Sequence, residues 1–336
     1  MRQIYRRSLG LLAGLFLLAP AFAADDVVVY SSRTEELIKP LFDLYTKETG
    51  VPIRYITDSG GPLLARLQAE GANTPADLLI TVDAGNLWQA AENGLLRPVT
   101  SETLAANVPA HLHDPEGRWY GLSLRARTIV YSTARVSPDD LSTYEDLADP
   151  KWKGRVCLRT SKSVYNQSLV AMMIARLGEE RTAALVKGWV DNLATAPFAN
   201  DTRLMEAMAA GQCDVGIVNS YYFGRLQKEN RDVPLALFWP NQGEAEGGVH
   251  VNVAGAGVTR HAGNPDGALK LREWLSSPEA QQIFAGRNME YPVEPGIERD
   301  ELIASWGDFR PDPRNIAEAG RLQARAVMLM DRVGFR

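Results

Sequence analysis

The feature that most constrains the fold is an alternation of short β-forming runs with helical patterns. Residues 27–30 are a run of β-forming residues, and a polar turn at residues 31–33 follows them. A helical pattern with apolar residues on one face then covers residues 35–48 and ends at Gly50. A chain that repeats this order folds as α/β lobes, each a mostly parallel sheet flanked by helices.

The alternation continues along the rest of the chain. Further strands are predicted at 51–57, 77–81, 155–158, 214–219 and 251–258. Helices are predicted at 83–93, 167–177, 179–192, 201–210, 265–275, 278–285 and 314–333, with others opening near Pro62 and Ser220. In such sheets ligands bind beyond the carboxyl ends of the strands, where loops and helix N-termini meet. The polar turn after the first strand lies at one of these ends.

Length and composition predict two lobes with a cleft between them. The 336 residues are 45% hydrophobic and 23% charged, as in ordinary globular proteins, and exceed what one hydrophobic core usually serves. Segments at 123–132 and 249–258 have a strand-like pattern flanked by glycine or serine, and we predict that they form the hinge. The predicted lobes have two segments each, 24–127 with 251–305 for the first and 128–250 with 306–336 for the second.

The N-terminus has the organisation of a secretory signal peptide. Three arginines precede and flank an apolar run at residues 9–20, and Ala21-Phe22-Ala23 follows as a small-x-small cleavage site. We therefore predict a signal peptide at 1–23 and a mature protein that is soluble outside the cytoplasm. The arginine pair at 6–7 also resembles a weak twin-arginine signal, so both export routes stay open.

Charge and motif content argue against two classes of function. The net charge is −5 and no basic stripe is present, which is not expected of a nucleic-acid-binding protein. The sequence has no G-x-S-x-G elbow, no P-loop and no G-x-G-x-x-G motif after a strand. Because no nucleophile and base are paired in a recognisable pattern, we do not expect an enzyme.

Two cysteines are present, Cys157 and Cys213. In an oxidising compartment an even pair suggests a disulfide. Such a bond would close a long loop and stabilise the fold by about 4 kcal/mol in the chain-entropy description. The alternative is a pair of buried free thiols, and the residues alone leave both possibilities open.

The main candidates for a binding site are Tyr221 and Tyr222, which open a helix directly after the predicted strand at 214–219. Adjacent helical residues point about 100° apart, so both side chains reach one ion only at the helix end, above the strand's carboxyl edge. The alternative is one tyrosine in the core and one at the surface, since tyrosines are often half-buried at helix starts. The pattern alone does not separate the two.

Tyrosine as a metal ligand would point to Fe³⁺. Phenolate is a hard, anionic oxygen donor and suits a hard, highly charged cation better than Zn²⁺ or Cu⁺. Free tyrosine has a pKa near 10, so the metal must displace the proton, and binding would weaken in acid. A third tyrosine, Tyr165, lies in a predicted turn between the strand at 155–158 and the next helix. Three phenolates would neutralise Fe³⁺ and leave part of its shell open for water or an anion.

An anion at the metal needs cationic donors. Arg33 precedes the first helix and Arg125 lies in the predicted hinge strand, so both are candidates for the cleft. Their alternative role is surface ion pairing, which applies to most arginines.

Several long motifs, in order along nearly the whole mature chain, resemble the periplasmic ferric-ion-binding proteins of bacterial ABC transporters. They include Val28-Val29-Tyr30-Ser31-Ser32-Arg33, Pro75-Ala76-Asp77-Leu78-Leu79-Ile80-Thr81-Val82-Asp83, Trp119-Tyr120-Gly121-Leu122, Arg125-Ala126-Arg127, Lys153-Gly154-Arg155-Val156-Cys157-Leu158-Arg159, Tyr165-Asn166, Ser168-Leu169, Cys213-Asp214, Asn219-Ser220-Tyr221-Tyr222 and Glu290-Tyr291-Pro292-Val293. The resemblance implies the two-lobed periplasmic solute-binding fold of type II.

The resemblance also implies the site. Tyr165, Tyr221 and Tyr222 would ligate Fe³⁺, while Arg33 and Arg125 would hold a synergistic anion, carbonate first, with citrate or water as alternatives. Some relatives carry a His-Tyr pair after the first-strand Ser-Arg, where this chain has Thr34 and Glu35. This is the pattern of the branch in which three tyrosines and an anion form the shell.

Further expectations follow from the same resemblance. Glu35 is expected to serve in the first turn of a helix rather than as a metal ligand, and Arg225 could offset charge in the cleft. The cysteine pair recurs in similar relatives, which favours the disulfide. The lobes would close about the hinge on Fe³⁺, and the closed monomer would dock on an ABC permease in the inner membrane.

Three other functions are compatible with parts of the sequence. A binding protein of the same fold for an organic or oxyanion solute would present tryptophans or carboxylates in the cleft; Trp88, Trp119 and Trp239 fall in apparently structural positions. A periplasmic enzyme would need a nucleophile and base in one cleft. A sensor that binds the metal without delivering it is compatible with the sequence.

Overall fold

The computed structural model describes residues 26–336. The predicted signal peptide, residues 1–23, lies outside the described residues. Within residues 26–336, none of the helices combines the length and the apolar character that a bilayer crossing requires.

The strands alternate with helices, as the sequence predicts. The strands of the described chain are β1 (Val27–Ser31), β2 (Ile53–Thr57), β3 (Leu78–Thr81), β4 (Tyr120–Ser132), β5 (Val156–Cys157), β6 (Val215–Asn219), β7 (Leu235–Phe238) and β8 (Val251–Val258). The helices are α1 (Glu35–Thr49), α2 (Gly60–Glu70), α3 (Ala84–Glu92), α4 (Glu102–Asn107), α5 (Val164–Leu177), α6 (Glu179–Asp191), α7 (Asp201–Ala209), α8 (Ser220–Glu229), α9 (Pro265–Trp274), α10 (Pro278–Asn288), α11 (Glu301–Ala304), α12 (Ala317–Arg321) and α13 (Gln323–Arg332).

One long strand, β4, joins two halves of the sheet. The strand order is β2-β1-β3-β8-β4-β6-β5, and β7 also pairs with β4. Residues 120–126 of β4 pair with β8, whereas residues 127–132 pair with β6 and β7. We call β2, β1, β3, β8 and residues 120–126 the first half of the sheet. The second half is residues 127–132 with β6, β5 and β7.

The sheet is mixed, which qualifies the prediction of mostly parallel lobes. β1 pairs in parallel with β2 and β3, and β5 pairs in parallel with β6. The pairs that include β4, and the pair of β3 with β8, are antiparallel. The βαβ units at the outer strands therefore keep the predicted parallel pairing. The pair of β3 with β8, and the pairs of β4 with its neighbours, do not.

Each half has its own hydrophobic core. In the first half α1, α9 and α10 cover β1, β3 and β8, and Ile38, Phe42 and Phe284 are among the buried residues. In the second half α5, α6 and α13 pack together around buried residues that include Trp152 and Trp189. α12 lies against α3 and α5, one helix from each half.

Two helix predictions need correction. The helix predicted at 167–177 begins at Val164, because Ser163 is extended and its carbonyl accepts the N–H groups of Asn166 and Gln167. Tyr165 therefore lies in the first turn of α5 rather than in a preceding turn. The helix predicted at 314–333 is two helices, α12 and α13, separated at Leu322.

Candidate metal centre

A cavity of about 560 Å³ brings all five predicted site residues together. Its walls are the start of α1, the loop after β3, and the C-terminal end of α10 on one side, and α5 and α8 on the other. The lining residues are Ser32, Arg33, Thr34, Glu36, Leu37, Val82, Arg125, Tyr165, Tyr221, Tyr222, Arg225, Lys228, Glu229, Arg287 and Glu290. Tyrosines are the aromatic residues of this lining, and Trp88, Trp119 and Trp239 are not part of it.

The end of β6 positions two of the tyrosines. Asn219 ends the strand with an extended backbone, and α8 starts at the next residue. Tyr221 and Tyr222 then lie in the first turn of α8, with ring centroids 4.4 Å apart, and both line the cavity. The alternative of one core and one surface tyrosine does not apply here.

The third tyrosine comes from a different helix. Tyr165 lies in the first turn of α5, and its hydroxyl oxygen is 3.2 Å from that of Tyr221, which donates to it. The side-chain amide of Asn219 donates to the Tyr221 oxygen at 3.3 Å. The first turns of two helices thus bring phenol oxygens close together, beside the carboxyl end of β6.

Burial controls the protonation of these phenols. Burial raises the pKa of Tyr165, and the Arg125 guanidinium partly opposes this. Burial also raises the pKa of Tyr221 well above its ordinary value, and the neighbouring Tyr165 and Tyr222 add to this effect. Both phenols are therefore neutral at neutral pH in the empty protein, and a metal must displace their protons to bind them.

Arg125 lies directly above one of the tyrosines. Its guanidinium carbon is 5.1 Å from the centre of the Tyr165 ring, and its Nη2 is 3.4 Å from an Asp83 carboxylate oxygen. The residue is 3% exposed and lines the cavity. A guanidinium in this position offers charge and donors to an anion bound beside the phenols.

Arg33 lines the same cavity but is held differently. Its Nη2 donates to Glu290 at 2.6 Å and to Ser123 at 2.5 Å, and its Nη1 donates to Glu290 at 3.3 Å. Burial acts to raise the pKa of Glu290, but Arg33 outweighs it and the pKa lies below its ordinary value. The guanidinium of Arg33 also lies 4.8 Å above the Phe284 ring. Much of its bonding capacity is thus already used within the protein.

The two acidic residues at the start of α1 have separate roles. Glu35 lies in the first turn, as expected, and accepts a hydrogen bond from the Tyr55 hydroxyl at 3.0 Å. It is Glu36, and not Glu35, that lines the cavity. The carboxylate that faces the site from α1 is therefore that of Glu36, one residue after Glu35, whose possible role as a ligand the sequence raised.

The guanidinium of Arg225 lies over the rings of the tyrosine pair. Its guanidinium carbon is 4.9 Å from the Tyr221 ring centre and 5.9 Å from that of Tyr222. Its Nη2 is 3.5 Å from the carbonyl oxygen of Asn288, at the end of α10. Arg225 thus contacts both walls of the cavity.

Among the cations missed from the sequence, Arg159 lies against the tyrosines. Arg159 has its guanidinium carbon 5.1 Å from the Tyr165 ring centre, interacts electrostatically with Tyr222, and lies 3.7 Å from Asp201. It directly follows the predicted strand at 155–158, at the carboxyl edge of the sheet. The positional rule that selected Tyr165 could therefore have selected Arg159 as well.

The predicted disulfide is confirmed. Cys157 and Cys213 are bonded, with Cα atoms 5.9 Å apart. Cys157 ends β5, which leads to α5 and Tyr165, and Cys213 precedes β6, which leads to Tyr221 and Tyr222. The bond therefore joins the two segments that carry the tyrosines.

The chain is similar to known iron-uptake proteins. Residues 73–306 match the family model described as bacterial extracellular solute-binding protein. Iron uptake protein A1 of Synechocystis is 44% identical over 319 residues, which are 93% of this chain and 88% of that protein. A Trichodesmium FutA (IdiA) structure in complex with iron and citrate ligands is 44% identical with a TM-score of 0.88, covering 93% of this chain and 100% of that one.

A more distant structure has the same fold. Apo ferric ion-binding protein A of Pasteurella haemolytica is 36% identical with a TM-score of 0.86, and the match covers 93% of this chain and 98% of that one. These similarities confirm the predicted two-lobed architecture. The chain belongs to the bacterial extracellular solute-binding proteins.

Proposed function

We propose that this protein binds Fe³⁺ through Tyr165, Tyr221 and Tyr222 and delivers it to an ABC permease of the inner membrane. The observation that carries the proposal is the convergence of three phenol groups in one cavity, two of them with oxygens 3.2 Å apart. Phenolate oxygens favour a hard trivalent cation. The similar Synechocystis and Trichodesmium proteins are iron-uptake and iron-binding proteins by name, which supports the same cargo here.

The charge of the cavity supports a bound dianion. Five cationic side chains and three carboxylates line it, an excess of two positive charges when the phenols are neutral. Fe³⁺ with three phenolates adds no net charge, so the excess remains after the metal binds. Carbonate would neutralise it and fill open positions of the metal shell, and the volume of about 560 Å³ also admits citrate.

We assign the contact with the anion to Arg125 rather than to Arg33. Arg125 lies over Tyr165, and its hydrogen-bond partner Asp83 is 3.4 Å away. Arg33 gives three hydrogen bonds to Glu290 and Ser123. In this proposal Arg33 contributes positive potential to the cavity, Arg125 contacts the anion, and Arg225 offsets the charge of the phenolates.

The proposed hinge is the pair of segments at 123–132 and 249–258. β4 changes partners between residues 126 and 127, and the Arg127 N–H donates to the His250 carbonyl at 2.9 Å, which joins the two segments. Rotation there would move residues 24–127 and 251–305 against residues 128–250 and 306–336. Closure on the cargo is the usual behaviour of such two-lobed proteins.

Export by a signal peptide at 1–23, a monomeric state and the absence of catalysis belong to the same proposal. The relatives named above are solute-binding proteins, and delivery to a permease is what such proteins do in ABC transport. The organic-solute alternative is not favoured, because the cavity lining has tyrosines where a stacked organic ligand would call for tryptophans.

A visible absorption titration with ferric citrate tests the proposal. Wild type should develop a broad phenolate-to-iron band that saturates at about one iron per chain, and a Tyr221→Phe/Tyr222→Phe variant should lose it. Phenylalanine keeps the ring packing of α8 and removes only the ligand oxygens, so circular dichroism should be unchanged. A colourless wild type would contradict ferric binding by tyrosine.

A further inference from the structure

A buried carboxylate outside the proposed ligand set contacts the site. Asp83 follows β3, caps α3 and is fully buried. Four donors converge on it: the Gly85 N–H at 2.8 Å, the Asn252 amide at 2.9 Å, the Ser168 hydroxyl at 3.0 and 3.1 Å, and Arg125 Nη2 at 3.4 Å. A helix cap needs one of these bonds, so the other three call for another explanation.

Two of the four donors belong to the immediate surroundings of Tyr165. Ser168 lies on α5, three residues after Tyr165 and therefore on the same side of the helix. Arg125 lies above the Tyr165 ring, 5.1 Å from its centre. One carboxylate on the first half of the sheet thus holds the guanidinium over the ring and also the helix that carries the ring.

The chemistry of the position requires a carboxylate. Burial raises the pKa of Asp83 to about 6, against the opposing effect of Arg125, so the group is charged at neutral pH. An ionised carboxylate accepts from several donors at once, whereas an asparagine amide would turn two of its own N–H groups toward them. A buried charge is tolerated when it is paired and hydrogen-bonded, and here it is both.

We infer that Asp83 is a positioning residue of the metal centre, which orients Arg125 for the anion and fixes α5, with Tyr165, against the first half of the sheet. The inference rests on the proposed function, because it takes Arg125 as the anion donor and Tyr165 as a ligand. Its consequence is that the loss of Asp83 weakens the anion-dependent part of iron binding, beyond any loss of stability.

A matched pair of variants separates the two effects. Asp77 precedes β3 as Asp83 follows it, is 3% exposed, and accepts from the N–H groups of Val28 and Asn264 at 2.9 and 2.7 Å. Asp77→Asn and Asp83→Asn therefore remove comparable buried carboxylates, but only Asp83 contacts the site. Each protein is saturated with Fe³⁺ in carbonate-free buffer, carbonate is added, and the visible band is followed.

We expect Asp83→Asn to raise the carbonate concentration at half-maximal change about tenfold, the usual effect of losing one charge-assisted contact. Asp77→Asn should leave that concentration within about twofold of wild type, whatever its melting temperature. Equal carbonate dependence in the two variants would overturn the inference while a wild-type band upholds the proposed function. A wild type with no band would contradict both.

A second pair of variants serves if Asp83→Asn does not fold. Ser168→Ala removes the bond to α5 and keeps the Asp83–Arg125 contact. Iron affinity should fall about threefold, as for one neutral hydrogen bond, with unchanged carbonate dependence. Arg125→Gln should raise the half-maximal carbonate concentration about tenfold. The assigned role of Asp83 would be refuted if Ser168→Ala kept the iron affinity of the wild type. It would also be refuted if Arg125→Gln kept the carbonate dependence of the wild type.

Discussion

The two walls of the cavity differ in the chemistry that they present. The wall formed by α5 and α8 carries the three tyrosines together with charged residues of α8, and the wall formed by α1, α10 and the loop after β3 carries charged residues and no tyrosine. All of the proposed metal ligands therefore come from one wall. This difference implies an order of events, in which the tyrosine wall captures the metal and the charged wall then closes over it.

The sharpest test of this difference removes one ligand oxygen from the tyrosine wall. Tyr165→Phe deletes an anionic ligand, so iron affinity should fall more than about a hundredfold, beyond the range typical of residues outside the metal shell. Competition with a chelator of known ferric affinity measures the change.

The control for this prediction lies on the opposite wall. Glu36 lines the cavity from α1 and is exposed. Glu36→Gln should change the affinity by less than about threefold, because an exposed charge is strongly screened. If the Glu36 variant lost as much affinity as Tyr165→Phe, both walls would supply ligands and the proposed order of capture would be wrong.

The protonation of the tyrosine wall gives the second prediction. The pKa values of Tyr165 and Tyr221 are raised in the empty protein, chiefly by burial, and both phenols must lose a proton to bind the metal. Lower pH therefore favours the empty form. Iron affinity should fall about a thousandfold for each pH unit between about pH 8 and 6, tenfold for each of the three phenol protons that the metal displaces, including that of Tyr222.

Chelator competition at several pH values, with carbonate held constant, measures this slope. The slope should become about a hundredfold per unit in Tyr165→Phe, which has two phenol protons to release instead of three. An affinity that does not change with pH would mean that the metal binds without displacing phenol protons, contrary to the proposed coordination.

The tyrosine wall was expected from the sequence, whereas the contacts within the charged wall were not. Tyr221 and Tyr222 follow a strand directly, so the position of ligand sites at strand ends in α/β sheets made them candidates, and the resemblance to ferric-ion-binding proteins implied their role as ligands. Glu290 and Arg33 are 257 residues apart in the chain, and their ion pair depends on how α10 packs beside α1. No local pattern reports that packing, so Arg33 could be placed in the cleft from sequence but its partner could not.

The same reasoning explains the partial success with the fold. The strands and helices at the outer edges are local units, and their apolar periodicity predicted them. β4 runs through both halves and pairs antiparallel with β8, β6 and β7, which depends on long-range contacts that periodicity does not encode. The start of α5 was missed because its first turn, Val164 to Gln167, lacks the apolar spacing that marks the rest of the helix.

The third prediction compares the two arginines. Arg125→Gln should weaken iron binding about tenfold in the presence of carbonate and much less in its absence, because it removes an anion contact. Arg33→Gln leaves the Glu290 carboxylate buried without its cation, which costs about 3–5 kcal/mol of unfolding free energy. Its main effect should therefore appear in denaturant unfolding, and its carbonate dependence should stay within about twofold of wild type.

An opposite pattern would change the assignment of the anion. If Arg33→Gln altered the carbonate dependence and Arg125→Gln did not, the anion would lie against the charged wall. The Glu290 carboxylate would then have to move away from Arg33 when the anion binds.

The smallest expected effect on iron affinity is that of removing the disulfide, which joins the two segments that carry the tyrosines. Cys157→Ser/Cys213→Ser should lower the unfolding free energy by about 4 kcal/mol, since a long loop is no longer closed in the unfolded chain. The parallel pairing of Val156 with Val215 and of Cys157 with Gly216 remains to hold β5 beside β6. Iron affinity should therefore change by less than about threefold at temperatures where the variant is folded. A larger loss of iron affinity would mean that the disulfide, and not the strand pairing, sets the distance between Tyr165 and the tyrosine pair. The geometry of the tyrosine wall would then depend on the redox state of its compartment.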